Sequence, residues 1–279
     1  MKKRLISLLL AFSMMLTFLP AGAVSAFAEG TADESSKETL LKSGDSIENG
    51  GVYCLQGDYT EAIKINTSEQ VIINIAAGDE VTFKPDRDAG INVLLAVVTN
   101  SDLTVNNNGV YNGPTFLYIS TKSANAKVTI NGGRYNITKQ FNVETCAFDF
   151  KVGGSDENPI VVDGVYIETG LDCTGIEACG APKVMIKNST INVLDTGYTG
   201  GGAINIVDSR VDRDPLVILE NVTAHAPKSA TIRINGGNLI INSGDYTSDR
   251  SSVVSIYGDY NYTTAVPTVE IHGGEFLGS

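Results

Sequence analysis

The sequence predicts an all-β fold, one chain wound into a parallel β-helix of about eight coils of roughly 28 residues each. Three recurring columns carry this expectation. An aliphatic-x-aliphatic triplet returns down the chain, Gly or Asn stands two positions after it, and an apolar residue usually stands five positions after it.

The triplets close on Ile73, Val105, Ile130, Val162, Ile186, Leu219, Ile241 and Ile271. Side chains alternate across a strand, so both outer members of a triplet point into the coil and the middle member points out. Beyond the first residues no stretch keeps the 3.6-residue period of an amphipathic helix. Leucine-rich repeats have a similar repeat length, but their Leu and Asn framework is missing here.

The Gly and Asn column, Asn107, Gly132, Gly164, Asn188, Asn221 and Gly273, marks a corner. A sharp corner between strands calls for positive φ, which Gly and Asn tolerate and β-branched residues resist. Ser243 interrupts the column, and Gly244 follows it directly. Past the corner a strand turns Tyr135, Ile167, Ile191, Ala224, Tyr246 and Phe276 inward. Another strand in each coil is drawn from Phe116-Leu-Tyr-Ile119, Ala147-Phe-Asp-Phe150, Gly175-Ile-Glu-Ala178, Ala203-Ile-Asn-Ile206, Thr231-Ile-Arg-Ile234 and Val253-Val-Ser-Ile256.

With three short strands per coil, the chain resembles the right-handed parallel β-helices of the pectate-lyase-like superfamily. It also resembles the β-helical carbohydrate-binding and adhesive domains of secreted clostridial proteins. Gly50-Gly-Val-Tyr-Cys-Leu-Gln-Gly-Asp-Tyr-Thr60, followed by Ala62-Ile-Lys-Ile-Asn66, is similar to the first strands of those domains. The resemblance covers residues 50–279 and implies a right-handed helix. For function it implies either glycan binding or adhesion without catalysis, or a lyase or hydrolase of an acidic glycan. The family's hydrolase pattern of Asn-Thr-Asp, Asp-Asp, Gly-His-Gly and Arg-Ile-Lys is not reproduced, and Arg233-Ile-Asn235 echoes its last element without the Lys.

Residues 1–28 have the composition of a bacterial secretory signal: Lys2-Lys3-Arg4, an apolar run from Leu5 to Leu19, and Ala26-Phe27-Ala28. The run is short for a membrane span, and none follows it. Residues 29–49 are expected to form a polar linker or N-terminal cap, and residues 50–279 the β-helix. Because the chain stops just after a complete motif, it is expected to continue into further coils or domains after Ser279, or to have its last coil covered by a partner. The chain is therefore expected to be secreted or displayed at a bacterial cell surface, where a stalk of a larger protein is a third role for such a solenoid.

Removal of the signal leaves 17 basic residues against 32 acidic ones, a formal charge of −15. A nucleic-acid partner is excluded by this balance and by the absence of clustered Lys and Arg. A polysaccharide or cell-surface glycan fits better, with a place left open for Ca2+. Cys54, Cys146, Cys173 and Cys179 are too few for a disulfide scaffold; Cys146 and Cys173, nearly one repeat apart, are candidates to stack and pair, the alternative being buried free thiols in a ladder.

The outward middle residues of the third strand type form one row, Tyr118, Asp149, Glu177, Asn205 and Arg233, the last four spaced by 28 residues. A ring, two carboxylates, an amide and a guanidinium make a candidate sugar-binding strip, although a merely solvated face has the same polarity. Carboxylates on adjacent coils also approach the roughly 5 Å separation of retaining glycosidases. They could alternatively hold Ca2+ beside a base, for which Arg233 is an unfavourable candidate because guanidinium resists deprotonation.

A second outward stripe, Val161, Met185, Ile218 and Ile240, is aliphatic and is expected to lie under a loop or another chain. Segments 152–157 and 208–214 are the loops of suitable length. His225 and His272 fall near corners and are expected to be turn-face residues. Asp86-Arg-Asp88 and Asp212-Arg-Asp214 are read as local ion pairs, and Gly197-Tyr-Thr-Gly-Gly-Gly202 as a bend without the Lys of a phosphate loop.

Overall fold

The computed structural model describes residues 38–85, 92–139, 145–180, 182–194, 201–207, 215–256 and 267–279. Residues 1–28, expected to form a signal, both Asp-Arg-Asp clusters and segment 208–214 lie outside these residues. The described chain, Glu38–Ser279, is a right-handed parallel β-helix with three sheets of ten, nine and nine strands. Among the described residues there is no helix, and none long and apolar enough to cross a membrane.

The ten-stranded sheet collects the triplets. Ile73 pairs with Val105, then Ile130, Val162, Ile186, Leu219, Ile241 and Ile271 follow in unbroken register. Register is fixed because a slip by one residue would turn every buried marker toward solvent. The outer triplet members are buried and the middle ones half-buried along the strands Ile160–Asp163, Lys183–Lys187, Leu216–Glu220 and Asn238–Ile241. One residue past the triplets runs a polar ladder in which Asn131 donates to Asn106 and Asn106 to Asn74, both at 3.0 Å. Farther along it becomes an ion pair, with Lys187 Nζ 3.2 Å from Asp163 Oδ2.

The corner column explains the change of direction. Gly132, Gly164, Asn188 and Asn221 adopt φ of 65°, 66°, 50° and 53°, and Gly244 takes this part at 134° after Ser243. Asn107 and Gly273 depart from the expectation, since neither has positive φ. At Asn107 the side-chain Oδ1 accepts the amide hydrogen of Gly109 at 2.8 Å, closing the turn through an Asn side chain instead. At Gly273 the left-handed residue is the next one, Gly274, at 117°.

Past the corners, Tyr111, Tyr135, Ile167, Ile191, Ala224, Tyr246 and Phe276 stack in register. Tyr135, Phe116 and Phe148 meet edge to face at 5.0–5.1 Å in the interior, where edge-to-face geometry suits the ring quadrupoles. At the last coil the same columns reach the surface: Ile271 is 53% exposed and Leu277 72%. At the other end, Thr39–Leu40 pairs with Gly51–Cys54 and Ser46–Ile47 with Ile63–Ile65, so strands begin before residue 50.

The cysteines are free, and the expected stacking of Cys146 on Cys173 is off by one residue. Cys173 registers with Thr145 and Cys146 with Thr174. The Cys173 thiol instead lies 3.0 Å from the Thr145 hydroxyl.

Candidate functional site

The second nine-stranded sheet carries the outward row. Tyr118 pairs with Asp149, Asp149 with Glu177, Glu177 with Asn205, and Asn205 with Arg233. Successive strands are about 4.8 Å apart, so Glu177 and Arg233 are separated by about 10 Å along the helix axis. The inward neighbours that hold this row, among them Phe148, Phe150, Ile176, Ile204, Ile206, Ile232 and Ile234, are fully buried. A rigid hydrophobic core thus fixes the polar residues that alternate with it.

The row has two halves. In the first, Lys151 Nζ lies 2.8 Å from Asp149 Oδ1 and 3.1 Å from Glu177 Oε1. Burial, and then the Glu177 charge, push Asp149 up to about 6 despite the Lys. For Lys151, burial works to lower the pKa, but the Asp149 and Glu177 charges outweigh it and hold the ammonium above its ordinary range. Tyr118 is raised by burial and by Asp149.

In the second half, Glu177, Asn205 and Arg233 line a cavity of about 330 Å³. Thr174, Asn235, Lys139 and Asp172 contribute to the same walls. Asn205 Nδ2 donates to the Thr174 hydroxyl at 3.2 Å, and its Oδ1 accepts from the Gly202 amide at 3.2 Å, so the amide is oriented at both ends. Lys139 Nζ pairs with Asp172 Oδ2 at 3.2 Å. The cavity therefore combines two cations, two carboxylates, two amides and a hydroxyl.

Sequence reasoning placed the five row residues on one face but missed Lys151, Lys139, Asp172, Thr174 and Asn235. Two of these had a signal. Lys151 and Asn235 follow Asp149 and Arg233 by two positions, the spacing that returns a side chain to the same face of a strand. Lys139, Asp172 and Thr174 come from corners and strand starts, where alternation gives no direction.

The two stacked carboxylates do not fit a Ca2+ site. An ammonium already stands between them, and they supply far fewer oxygens than the six to eight that Ca2+ takes. Among the described residues no group of three or more His, Cys, Asp or Glu is placed to hold a metal. Both histidines are at strand ends: His225 Nδ1 lies 2.8 Å from the Thr247 hydroxyl, and His272 Nε2 3.4 Å from Glu270.

The aliphatic stripe registers as Val161, Met185, Ile218 and Ile240 on four consecutive strands. Of the two loops expected over it, segment 152–157 meets the strand starts to one side. Asp156 lies 3.4 Å from Lys183, and Gly153 and Gly154 face Ile160, Ala126 and Lys183.

No protein-family model, no curated protein and no solved structure matches the chain.

Proposed function

We propose that this chain is an exported, non-enzymatic β-helix that binds a glycan through the row from Tyr118 to Arg233. The observation that carries the reading is the cavity that Glu177, Asn205 and Arg233 form together across three coils. Its walls present donors and acceptors side by side, as a set of sugar hydroxyls requires, and its two cations are offset by two carboxylates. This balance favours a neutral glycan over a polyuronate, which the −15 charge of the chain without its signal also repels. Residues 1–28 support export, and the likeness of the repeats to clostridial carbohydrate-binding β-helices supports the ligand class. A surface adhesin is the biological form this activity would take.

A glycan array on the wild-type protein and an Asn205→Ala/Arg233→Ala variant tests the proposal. Retention of neutral glycans by the wild type and at least tenfold weaker retention by the variant is the expected outcome. Equal binding by both would remove the row from any account of function.

One observation favours a second reading. Asp149, raised to about 6 and in register with Glu177, is a carboxyl pair of the kind that glycoside hydrolases use. Lys151 argues against it, because an ammonium clamped between the two carboxylates ties up the oxygens that catalysis needs. Release of reducing ends from the retained glycan, abolished in Glu177→Gln, would reverse this preference.

A further inference from the structure

The aliphatic stripe on the ten-stranded sheet is used neither by coil stacking nor by the glycan row. Val161, Met185, Ile218 and Ile240 stand half-buried in the middle of the sheet's outer face. Charged residues flank them asymmetrically. On the side past the triplets lie Asp163, Lys187 and Glu220; on the side before them, Lys183 and Leu216. Lys187 is paired with Asp163, whereas the exposed Glu220 carboxylate has no side-chain partner among the described residues.

We infer that this face binds a second copy of the chain, packed face to face about a twofold axis that runs parallel to the strands and between Met185 and Ile218. Two arrangements bring the stripes of two copies together. A twofold axis along the helix axis sets each coil against itself and reverses the flanks, which brings Lys183, paired with Asp156, against the partner's Lys187 and forms no ion pair between copies. An axis along the strands keeps the flanks in place and reverses the order of coils. Met185 then meets the partner's Ile218, and Val161 the partner's Ile240. On the charged flank Lys187 meets the partner's Glu220, and the symmetry makes this contact twice, which is the self-complementarity that an isologous interface requires. Lys183 meets the partner's Leu216, where its aliphatic stem can pack. The stripe supplies the apolar centre and the ion pairs the polar rim.

The extent of the overlap sets the strength. With the axis between Met185 and Ile218, six strands of each copy overlap, from Lys127–Asn131 to Thr268–Ile271. Six strands span about 29 Å, and five residues of strand about 16 Å, so each copy covers roughly 450–500 Å². The total lies near the lower limit of about 1,000 Å² for a specific interface, so the dimer is expected to be weak and concentration-dependent.

Sedimentation equilibrium of the purified chain over a wide concentration range tests this. The expected result is a monomer–dimer equilibrium with a dissociation constant on the order of 10–100 µM. Ile218→Glu should weaken it more than tenfold while leaving the circular dichroism of the β-helix unchanged, since the side chain points outward. Lys187→Glu should also weaken it, and Lys187→Glu/Glu220→Lys should restore it to within about threefold of wild type, because the swap preserves the cross-copy pairing. A wild type that stays monomeric at the highest concentration would overturn the inference. A dimer that tolerates Ile218→Glu, or a charge swap no better than the single change, would overturn it as well.

Discussion

Asp149 and Glu177 stand in register on adjacent strands, one coil apart, and share a single ammonium, that of Lys151. One cation compensates two carboxylates, and burial together with the Glu177 charge raises Asp149.

Asp149 is raised to about 6, so the folded protein holds its proton more tightly than the unfolded chain, where an Asp titrates near 3.9. Between about pH 4 and pH 6 the folded state therefore binds more protons, and stability from this group falls as pH rises through that window. Below it the penalty is absent; above it the full penalty stays, about 2–3 kcal/mol. Asp163 responds oppositely, since its pKa is lowered by the Asn188 hydrogen bond. The informative quantity is thus the stability of wild type minus that of Asp149→Asn, from urea unfolding at pH 4 to 8. It should fall between pH 4 and about 6.5 and be level above 7. A level difference throughout would show that Asp149 titrates normally.

Lys151→Met leaves both carboxylates without their shared cation. The side chains of Lys151 and Asp149 are only 23% and 20% exposed, so water compensates poorly. A loss of about 2 kcal/mol at pH 7 is expected, below the 3–5 kcal/mol of a fully buried pair that loses a partner. At pH 5, where Asp149 takes up a proton more readily, the loss should shrink. Urea midpoints for both proteins at the two pH values measure this, and an equal loss at pH 5 and pH 7 would separate Lys151 from the titration of Asp149.

The sequence carries the coil more fully than it carries the site. Ile130 and Val162 could be aligned in advance because each is a buried strand residue with only one way to alternate, and a slip by one position would expose it. Asp149, Glu177, Asn205 and Arg233 were aligned by the same rule, as outward neighbours of buried residues. Lys151 was within reach of that rule and was passed over because it stands just past the Thr145–Phe150 strand. Lys139 and Asp172 were not, since their direction depends on the backbone path of a corner. The same limit explains the cysteines: Cys146 and Cys173 are 27 positions apart, but local register follows the 28-residue step from Asp149 to Glu177 and sets Cys173 on Thr145 instead.

At the corners, the left-handed conformation of Asn221 makes a separable prediction. Its φ is 53°, and its Nδ2 donates to Asn188 Oδ1 at 3.0 Å. Asn221→Val places a β-branched residue where Cβ crowds the backbone and removes the amide, for an expected cost of about 2 kcal/mol. Asn221→Gly loses the same amide without the strain, so it should cost less than half as much. The ratio of the two losses, from thermal unfolding, isolates the backbone term; equal losses would assign the position to its hydrogen bond alone.

Interior position should matter less for a residue's identity than for its place along the helix axis, because each coil of a solenoid is stabilised by its neighbours. Phe148 is fully buried, with Tyr135 at 5.0 Å, Phe116 at 6.3 Å and Phe150 at 6.1 Å between ring centroids. Phe276 belongs to an inward column too, but it lies on the last coil, is 38% exposed, and stacks on Tyr246 alone at 5.2 Å. Phe148→Ala opens a cavity closed on all sides and is expected to cost 3–5 kcal/mol. Phe276→Ala leaves a gap that water already reaches, so only part of the transfer energy is lost, about 1 kcal/mol. Guanidinium unfolding of the two variants checks this, and hydrogen exchange locates it: Phe148→Ala should speed exchange in the strands on both sides of its coil, Phe276→Ala only in the last coil. Comparable losses for the two variants would mean that the final coil is as well covered as the middle of the helix.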